Sequence, residues 1–433
     1  MARVMNFFSI SLIFSFFLSP VFAQDKNIIL DPVIHERLNY YNIKPLTAPI
    51  QDPNRAKIFL GKKLFNDPIL SGNKRMSCST CHSPGLGTSD NLPMSQSENQ
   101  KEILRRNAPA LFNLGLQKKP FMFWDGRVHF DLNEKVFTTP EIGLNGKIPK
   151  ASFITKYLSS ALSAQALFPL VSHNEMMGEK GENEIADAKN NLEAWEKIIN
   201  RLKNNDQYKK LFQSAYPEIA LRNINIGLVA EAIGSFEKEE FQSLGSPFQR
   251  YLRGDKAAMT NSAKRGLVVF LGSGKCINCH QGSELGNTSL FASVAVPQWG
   301  AMPASQDYGR AEVTHDSAEN FFFKVPSLLN IRLTAPYMHN GAFQTLKEVV
   351  NHYDWLSHSL KNFEVSSQRR HSMPVEVELL NSPLVLDEIW LSSQISKNPK
   401  ISNKILLTPL EKNYLLIFLS EALTDPKWIN KKE

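Results

Sequence analysis

The chain has 433 residues, of which 42% are hydrophobic and 21% are charged. This is ordinary globular content for two or three domains, and it excludes a disordered chain. The formal net charge of +7 comes from scattered basic residues. Such a modest excess attracts an anionic partner but gives no support for nucleic-acid binding.

The chain start has the features of a secretory signal peptide. Arg3 precedes an apolar run from Phe7 to Phe17, and Val21-Phe22-Ala23 is a small-residue cleavage pattern. We therefore expect residues 1–23 to be removed from an exported protein. No later run is apolar over the roughly 18 residues that a membrane span needs, so we expect no span.

Two copies of the pentapeptide Cys-x-x-Cys-His use all four cysteines of the chain. Two thiols on one turn can form thioethers to haem vinyl groups, and the adjacent histidine then binds the iron. A zinc half-site or a redox dithiol is the alternative, but neither requires a histidine after both pairs. The residues predicted to attach two haem c groups are Cys78, Cys81, His82, Cys276, Cys279 and His280.

Covalent haem attachment takes place on the outer side of the bacterial inner membrane. Together with the signal peptide, this predicts a periplasmic protein. No cysteine remains for a structural disulfide.

The sequence around the two motifs is repeated. An amphipathic helix is predicted ahead of each, over Ala56–Phe65 and Ala263–Phe270, and Ala108–Asn113 resembles Val325–Asn330 downstream. Strand signals are sparse. The pattern predicts an all-α fold of two cytochrome c-like (class I) haem domains related by internal duplication.

Helical patterns at Leu192–Ile199 and Ile226–Ile233 lie between the two repeats. Glycine, serine and proline then cluster at Ser243–Pro247, which indicates a boundary. We therefore predict an N-terminal haem domain with inserted segments at 24–245 and a C-terminal haem domain at 246–433.

Several segments together resemble the bacterial dihaem cytochrome c peroxidase and MauG family over nearly all of the mature chain. The resemblance implies that hydrogen peroxide reacts at the N-terminal haem and that the C-terminal haem handles electrons. The matching segments are Leu64–Ser71, Arg106–Pro109, Phe123–Arg127, Thr334–Gly341 and Leu407–Glu411.

The family's distal loop has a glutamine, a proline four residues later and a glutamate ten residues later. Gln165, Pro169 and Glu175 reproduce these offsets. The resemblance implies that Glu175 is the acid/base group and Gln165 a hydrogen-bond donor in the pocket. A lone glutamate is otherwise usually a surface residue. The chain departs from the family by a longer gap before Gln165, with an extra segment around 138–160.

Trp124 matches the family's tryptophan that lies between the two haems. The resemblance implies that an oxidisable indole relays electrons there. Core packing is the alternative reading of a tryptophan.

The two iron sites are predicted to resemble those of MauG-like members. The chain has no histidine between His82 and His129, so the distal histidine of classical peroxidases is missing and the first iron is expected to be five-coordinate. Tyr353 takes the place of the distal methionine at the second iron. His352 and Met338 remain rival ligands, and a buried core tyrosine remains the alternative.

A calcium ion between the haems is a further implication of the resemblance. Its matching ligands are Asn107, Thr334 and Pro336, through an amide oxygen and backbone carbonyls. Asn107 as a turn residue is the alternative. A serine-, lysine- and asparagine-rich segment, 357–403, is predicted to be a surface excursion or a partner-docking loop.

Three functions remain open at this point. The first is a peroxidase that takes electrons from a small periplasmic cytochrome c or cupredoxin. The second is a MauG-like oxidase that uses peroxide to oxidise aromatic residues of a partner protein. The third is a simple electron carrier, which Gln165 and Glu175 argue against because a carrier needs no proton-transfer group. A homodimer stays open.

Overall fold

The computed structural model describes residues 30–48, 51–99, 102–116, 119–301, 306–364, 379–381, 388–398, 400–429 and 431. The predicted signal peptide, residues 1–23, lies outside them, as does part of the segment 357–403. In the described part of the chain, no helix is long and apolar enough to cross a membrane.

The fold is mostly helical. Its described α-helices are α1 (Leu30–Tyr40), α2 (Arg55–Asn66), α3 (Cys78–Cys81), α4 (Ser152–Thr155), α5 (Ala161–Gln165), α6 (Asn191–Lys203), α7 (Asp206–Ala215), α8 (Ile226–Glu240), α9 (Pro247–Leu252), α10 (Asn261–Leu271), α11 (Ala311–Thr314), α12 (Leu346–Asp354), α13 (Leu356–Lys361), α14 (Glu388–Lys397) and α15 (Pro409–Ile417). The predicted helices ahead of the two Cys-x-x-Cys-His motifs are confirmed as α2 and α10.

Three small antiparallel sheets accompany the helices, and the prediction of an all-α fold missed them. The strands are β1 (Phe121–Met122), β2 (Val128–Asp131), β3 (Val136–Thr138), β4 (Asn287–Ala292), β5 (Trp299–Ala301), β6 (Phe323–Val325) and β7 (Leu379–Asn381). The sheets pair β1-β2-β3, β4-β6 and β5-β7. Most of these strands have two to four residues, which is too short for an alternating pattern to stand out in a sequence.

The N-terminal half is built on the contact between α2 and α8. Asn54 caps α2 by accepting a hydrogen bond from Lys57 N. Gly61 of α2 lies directly against the backbone of α8, so an added Cβ would collide with Ala232 O and approach Phe236. The two helices therefore pack closer than any side chain would allow at that point.

The C-terminal half repeats this arrangement with α10 and α15. Thr260 caps α10, and Thr408 and Glu411 form a capping box at α15. Gly266 of α10 lies against Tyr414 O and Phe418, in the same way as Gly61 lies against α8. The segment Leu407–Glu411, which resembles the family in sequence, leads into α15.

A segment near each end of the chain packs against the opposite half. Ile34 and Leu38 of α1 are buried in the core of the C-terminal half, and Asp31 forms an ion pair with Lys264 of α10 at 2.8 Å. Near the other end, Trp428 packs into the N-terminal core. The segment from α1 therefore belongs by its packing to the C-terminal half, although the predicted boundary assigned it to domain 24–245.

The extra segment 138–160 is part of the N-terminal core. Leu144, Ala151, Ile154 and Leu158 are buried in it, and α4 packs on α8. The segment therefore packs on the same helix as α5, which ends at Gln165.

Candidate dihaem site

A cavity of about 660 Å³ is lined by residues of both halves, including both Cys-x-x-Cys-His motifs. Its lining is largely apolar. Every residue predicted for the site is present in this lining. These residues are Cys78, Cys81, His82, Asn107, Trp124, Gln165, Pro169, Glu175, Cys276, Cys279, His280, Thr334, Pro336 and Tyr353.

Each motif histidine is held by a backbone carbonyl. His82 Nδ1 lies 3.2 Å from Thr88 O, and His280 Nδ1 lies 3.1 Å from Leu285 O. A carbonyl oxygen only accepts, so Nδ1 must donate, and Nε2 keeps its lone pair. This tautomer is the one that iron ligation through Nε2 requires.

The four thiols are not paired as disulfides. Burial raises the pKa of Cys78, and it raises those of Cys81 and Cys276 to about 12. Zinc binding and redox exchange both need a thiolate, which this environment disfavours, whereas a thioether to haem carries no charge. Among the described residues, no group of three or more His, Cys, Asp or Glu side chains can hold a metal ion. The alternatives to haem attachment are therefore unsupported.

One partly buried lysine of the same cavity, Lys324, fits a propionate group that haem brings. Burial lowers the pKa of Lys324 to about 7, and its ammonium donates to Phe121 O at 3.1 Å. Lys119 instead pairs with Glu284 at 2.7 Å. Lys324, whose ammonium donates to a single carbonyl, would be stabilised by a nearby carboxylate such as a haem propionate. The cysteines and histidines of the two motifs, the tautomers of these histidines and the charge of Lys324 therefore all suit haem.

Glu175 lies on a π-turn, His173–Met177, that faces the first motif. Its side chain keeps 27% of its surface accessible, and this part faces the cavity that Glu175 lines. Burial raises the pKa of its carboxyl, against the opposing charges of Arg127 and Arg106. Arg127 Nη2 lies 3.8 Å from Glu175 Oε1.

Gln165 and Pro169 are positioned by the adjoining helices. Gln165 ends α5, and Pro169 begins a short 3₁₀ turn. Trp195 of α6 donates from Nε1 to Leu167 O at 3.1 Å, between the two. The structure thus brings Gln165, Pro169 and Glu175 to one side of the cavity.

An alternating chain of charges extends away from Glu175, and sequence analysis assigned it no role. Arg127 pairs with Asp125 at 3.1 Å, Asp125 also pairs with Arg106, and Arg106 reaches Asp307 of the C-terminal half at 2.6 Å. Arg106 and its neighbours keep the pKa of Asp125 and Asp307 low. Arg106 and Arg127 did lie in segments that matched the family, which was the available signal.

Trp124 is held by hydrogen bonds of both its indole and its backbone carbonyl. Its indole Nε1 donates to Asn107 O at 2.9 Å, and its carbonyl accepts from Lys324 N at 2.8 Å. The side chain lines the cavity and is not part of a closed core. The geometry is compatible with a position beside both haem groups.

Tyr353 of α12 lines the cavity next to the second motif. Burial raises the pKa of its phenol, and the sulfurs of Cys279 and Cys276 contribute to the same shift. Of its rivals, His352 is occupied at both ring nitrogens, by Ser359 Oγ at 3.1 Å and Val294 O at 2.9 Å. Met338 does line the cavity.

The predicted calcium residues all line the cavity. Asn107 N donates to His339 O at 2.7 Å, within the segment that follows Pro336. The Asn107 side-chain nitrogen donates to Leu92 O at 2.6 Å, which leaves its Oδ1 for another partner. Oxygen atoms of this kind suit Ca²⁺.

Two buried groups of the cavity have polar atoms without a hydrogen-bond partner among the described residues. One is His339, whose Nε2 has none and whose ring stacks on Phe323 at 3.6 Å. The other is Glu237 of α8, whose Oε2 has none. Burial raises the pKa of the Glu237 carboxyl to about 8. No sequence motif pointed to Glu237.

Comparison with known proteins assigns the chain to a family. The sequence model of di-haem cytochrome c peroxidase matches residues 55–257. The methylamine utilization protein MauG of Methylorubrum extorquens is 30% identical over 335 residues, 75% of this chain and 78% of that protein. The chain belongs to the di-haem cytochrome c peroxidase family. Membership implies two haem c groups and a peroxide-reducing oxidoreductase.

Further relatives of this di-haem peroxidase include both kinds of family member. A cytochrome c551 peroxidase of Pseudomonas aeruginosa is 30% identical over 304 residues, 70% of this chain and 72% of that protein. Among solved structures, a MauG-like protein associated with microbial copper homeostasis has a TM-score of 0.60 at 24% identity, covering 90% of this chain and 95% of that one. The latter likeness shows the fold.

Proposed function

We propose that the protein reduces hydrogen peroxide to water at the N-terminal haem with electrons that enter at the C-terminal haem. Each turnover takes two electrons and two protons and yields two water molecules. Bound haem supplies the iron redox chemistry. The observation that carries the proposal is the position of Glu175 and Gln165 on the cavity that holds the first motif.

Glu175 supplies the proton transfer in this proposal. Cleavage of peroxide into water requires a proton to move from its inner to its outer oxygen, which a carboxyl within hydrogen-bond reach performs. A raised pKa brings the carboxyl nearer to the pH range in which it can both take and give a proton. Gln165 orients peroxide by hydrogen bonding, and Pro169 shapes the same wall.

The route between the two haem groups runs past Trp124 in this proposal. The indole lines the cavity that holds both motifs, and its hydrogen bond to Asn107 O fixes its orientation. An oxidisable aromatic side chain at this place shortens each electron-transfer step.

A MauG-like oxidation of aromatic residues in a partner protein is the second candidate. Tyr353 beside Cys276 and Cys279 favours it, because a phenolate ligand supplies negative charge and stabilises oxidised iron. The occupied ring of His352 leaves Met338 as the rival ligand.

One spectroscopic experiment separates the two candidates. The fully ferric holoprotein is mixed with one equivalent of peroxide per protein, with and without prior half-reduction. Immediate reaction of the ferric protein and a long-lived oxidised product support the MauG-like reading. A protein that stays inert until it is half-reduced supports the classical peroxidase. Failure to consume peroxide in both states contradicts both.

We also propose that the two haem halves arose by duplication, with domains at 24–245 and 246–433. What supports this is the repeated helix contact, with Gly61 and Gly266 against an i and i+4 pair of residues on the facing helix. The carbonyl-bound motif histidines repeat as well. The exchanged terminal segments then join the two halves.

Calcium and location complete the proposal. Asn107, Thr334 and Pro336 bind one Ca²⁺ through oxygen atoms. Residues 1–23 direct export, and the mature protein works in the periplasm, where haem c is attached. A small cytochrome c or cupredoxin, or a protein substrate, is the partner.

A further inference from the structure

The wall between the second haem motif and solvent is thin at Leu406. Ile405 and Leu407 line the cavity, while Leu406 between them is 63% exposed. Its backbone has φ 60°, a region that leucine rarely adopts. The structure thus keeps an apolar side chain in solvent in an unfavourable backbone conformation, and such local strain is typical of functional surfaces.

Residues 400–407, here called the outer wall, are tied to the second haem site at several points. Asp354, which directly follows Tyr353, accepts from Ile405 N at 2.8 Å through its carbonyl and from Leu407 N at 2.6 Å through Oδ1. On the motif side, Lys275 donates to Ser402 Oγ at 3.1 Å. The outer wall is therefore held against both the motif and the helix of Tyr353.

Three exposed lysines lie on the outer wall or beside it. Lys275 precedes Cys276, and Lys400 and Lys404 belong to the outer wall. The charge of Lys400 acts on Cys279, and the Lys404 ammonium lies 4.1 Å from the centre of the Trp355 ring. None of the three forms an ion pair with a described carboxylate within 4.0 Å.

The nearby carboxylates are already engaged. Asp354 pairs with Lys412 at 2.7 Å. Glu411 accepts from Thr408 at the start of α15 and from Ser273. The three lysines outnumber Glu411, whose charge these neutral donors leave in place, so the face keeps a positive excess. Its exposed apolar side chains are Leu406 and Leu410, the latter 38% exposed.

We propose that the outer wall, with Lys275, is the docking surface for a small acidic redox protein that delivers electrons to the second haem. This deepens the proposed function, on which it rests for the direction of electron flow. Carboxylates around the partner's redox centre meet the lysines and steer the encounter. Contact at Leu406 then excludes water and brings the partner within one residue of the cavity, where electron transfer is fast because its rate decays steeply with distance.

The test measures electron transfer without peroxide. Fully ferric holoprotein is mixed anaerobically with flavodoxin hydroquinone, a small acidic flavoprotein with a low potential, and haem reduction is followed by stopped-flow absorbance. The charge-reversed variant is Lys275→Glu/Lys400→Glu/Lys404→Glu. We expect its second-order rate constant to fall about tenfold or more at low ionic strength, and the difference to vanish at high salt.

A matched variant controls for net charge. Lys150→Glu/Lys189→Glu/Lys210→Glu changes the same number of exposed lysines in the N-terminal half. It should stay within about twofold of the unmodified protein, since its charges lie away from the second haem. Equal slowing of both variants, or no slowing of the first, overturns the proposal. The haem potentials of all variants are measured, so that a change in driving force is recognised.

Leu406→Asn tests the apolar centre. Asparagine tolerates a positive φ better than leucine, so the fold is preserved. We expect slower reduction at high ionic strength, where steering is screened and contact dominates. An unchanged rate at high salt overturns the role of Leu406.

The two levels of the proposal fail differently. Flavodoxin-driven reduction is measured without peroxide, so a protein that consumes no peroxide but shows the lysine dependence disproves the proposed function and keeps the docking surface. A protein that consumes peroxide normally but shows no lysine dependence supports the proposed function and disproves the docking surface.

Discussion

At the scale of single residues, the proposed peroxide chemistry depends on Glu175. Replacing it by glutamine keeps the shape but removes the proton acceptor. We expect Glu175→Gln to lower kcat/KM for peroxide by about 10²-fold or more, with an unchanged ferric spectrum. Glu179→Gln, in the same loop but outside the cavity lining, should keep full activity. Equal rates for both variants in a peroxide assay would remove Glu175 from the mechanism.

Tyr353 is the proposed ligand that would favour the oxidised state of the second haem. If its phenolate binds that iron, Tyr353→Phe removes negative charge, and we expect the reduction potential to rise by about 0.1 V or more. Tyr337 also lines the cavity and provides the matched control as Tyr337→Phe. Spectroelectrochemical titration measures both. An unchanged potential in Tyr353→Phe would favour Met338 as the ligand.

Glu237 makes the stability of the fold depend on pH. Burial raises the pKa of its carboxyl to about 8 in the folded protein, whereas an exposed glutamate in the unfolded chain has a pKa of about 4.3. The stabilising effect of the neutral form is complete below the unfolded pKa and is lost as pH rises through the folded pKa. Between these values the free energy of unfolding falls by up to about 1.4 kcal/mol per pH unit.

Glu237→Gln removes this dependence because the amide stays neutral. Denaturant unfolding at a series of pH values should show a gap between the two proteins that opens between about pH 4.3 and 8. Glu218→Gln, at an exposed position, should follow the unmodified protein. Parallel curves for the unmodified protein and Glu237→Gln would show that Glu237 is hydrated or paired in the folded state.

At the scale of elements, the two glycine contacts are the most sensitive points of the helix packing. A Cβ at Gly61 would collide with Ala232 O, and one at Gly266 with Tyr414 O. Backbone atoms cannot rotate away, so we expect Gly61→Ala and Gly266→Ala each to reduce the free energy of unfolding by about 1–3 kcal/mol. Lys62→Ala, on the exposed side of α2, should cost far less. A stable Gly61→Ala or Gly266→Ala protein in urea unfolding would contradict the close packing.

The sequence predicted the main helices, but it did not predict the short strands or which segments pack against each other. Apolar spacing identified α2, α6, α8 and α10 because burial of one helix face imposes a period of 3.6 residues. The strands of two to four residues escaped prediction because they are too short to show an alternating pattern. The pairing of β5 with β7 also depends on segments distant in the chain. Likewise, nothing local shows that 138–160 packs on α8.

At the scale of the whole molecule, the interface between the halves carries the cavity. The proposed Ca²⁺ at Asn107, Thr334 and Pro336 joins residues of both halves. We expect chelation to lower peroxide turnover and to change the haem spectrum, and added Ca²⁺ to restore both. Asn107→Ala should have the low peroxide turnover and the altered haem spectrum of the chelated protein, except at high Ca²⁺ concentrations. A metal-free protein with full activity after chelation would disprove this site.

The halves are also joined by their ends, with α1 in the C-terminal core and Trp428 in the N-terminal core. Neither half therefore has a complete core within the predicted limits 24–245 and 246–433. The charged chain from Arg127 through Asp125 and Arg106 to Asp307 crosses the same interface. It connects the surroundings of Glu175 with the C-terminal half.

The sequence alone determined the covalent chemistry and the main helices. Cys-x-x-Cys-His predicts haem attachment because both thiols and the histidine lie on one turn, and helix periodicity is equally local. Only the tertiary structure decided which side chains face the cavity, how the charges around Arg106 pair, and that Leu406 is exposed on a thin wall of the cavity. These features arise from contacts between segments far apart in the chain, and such contacts leave no pattern in neighbouring residues.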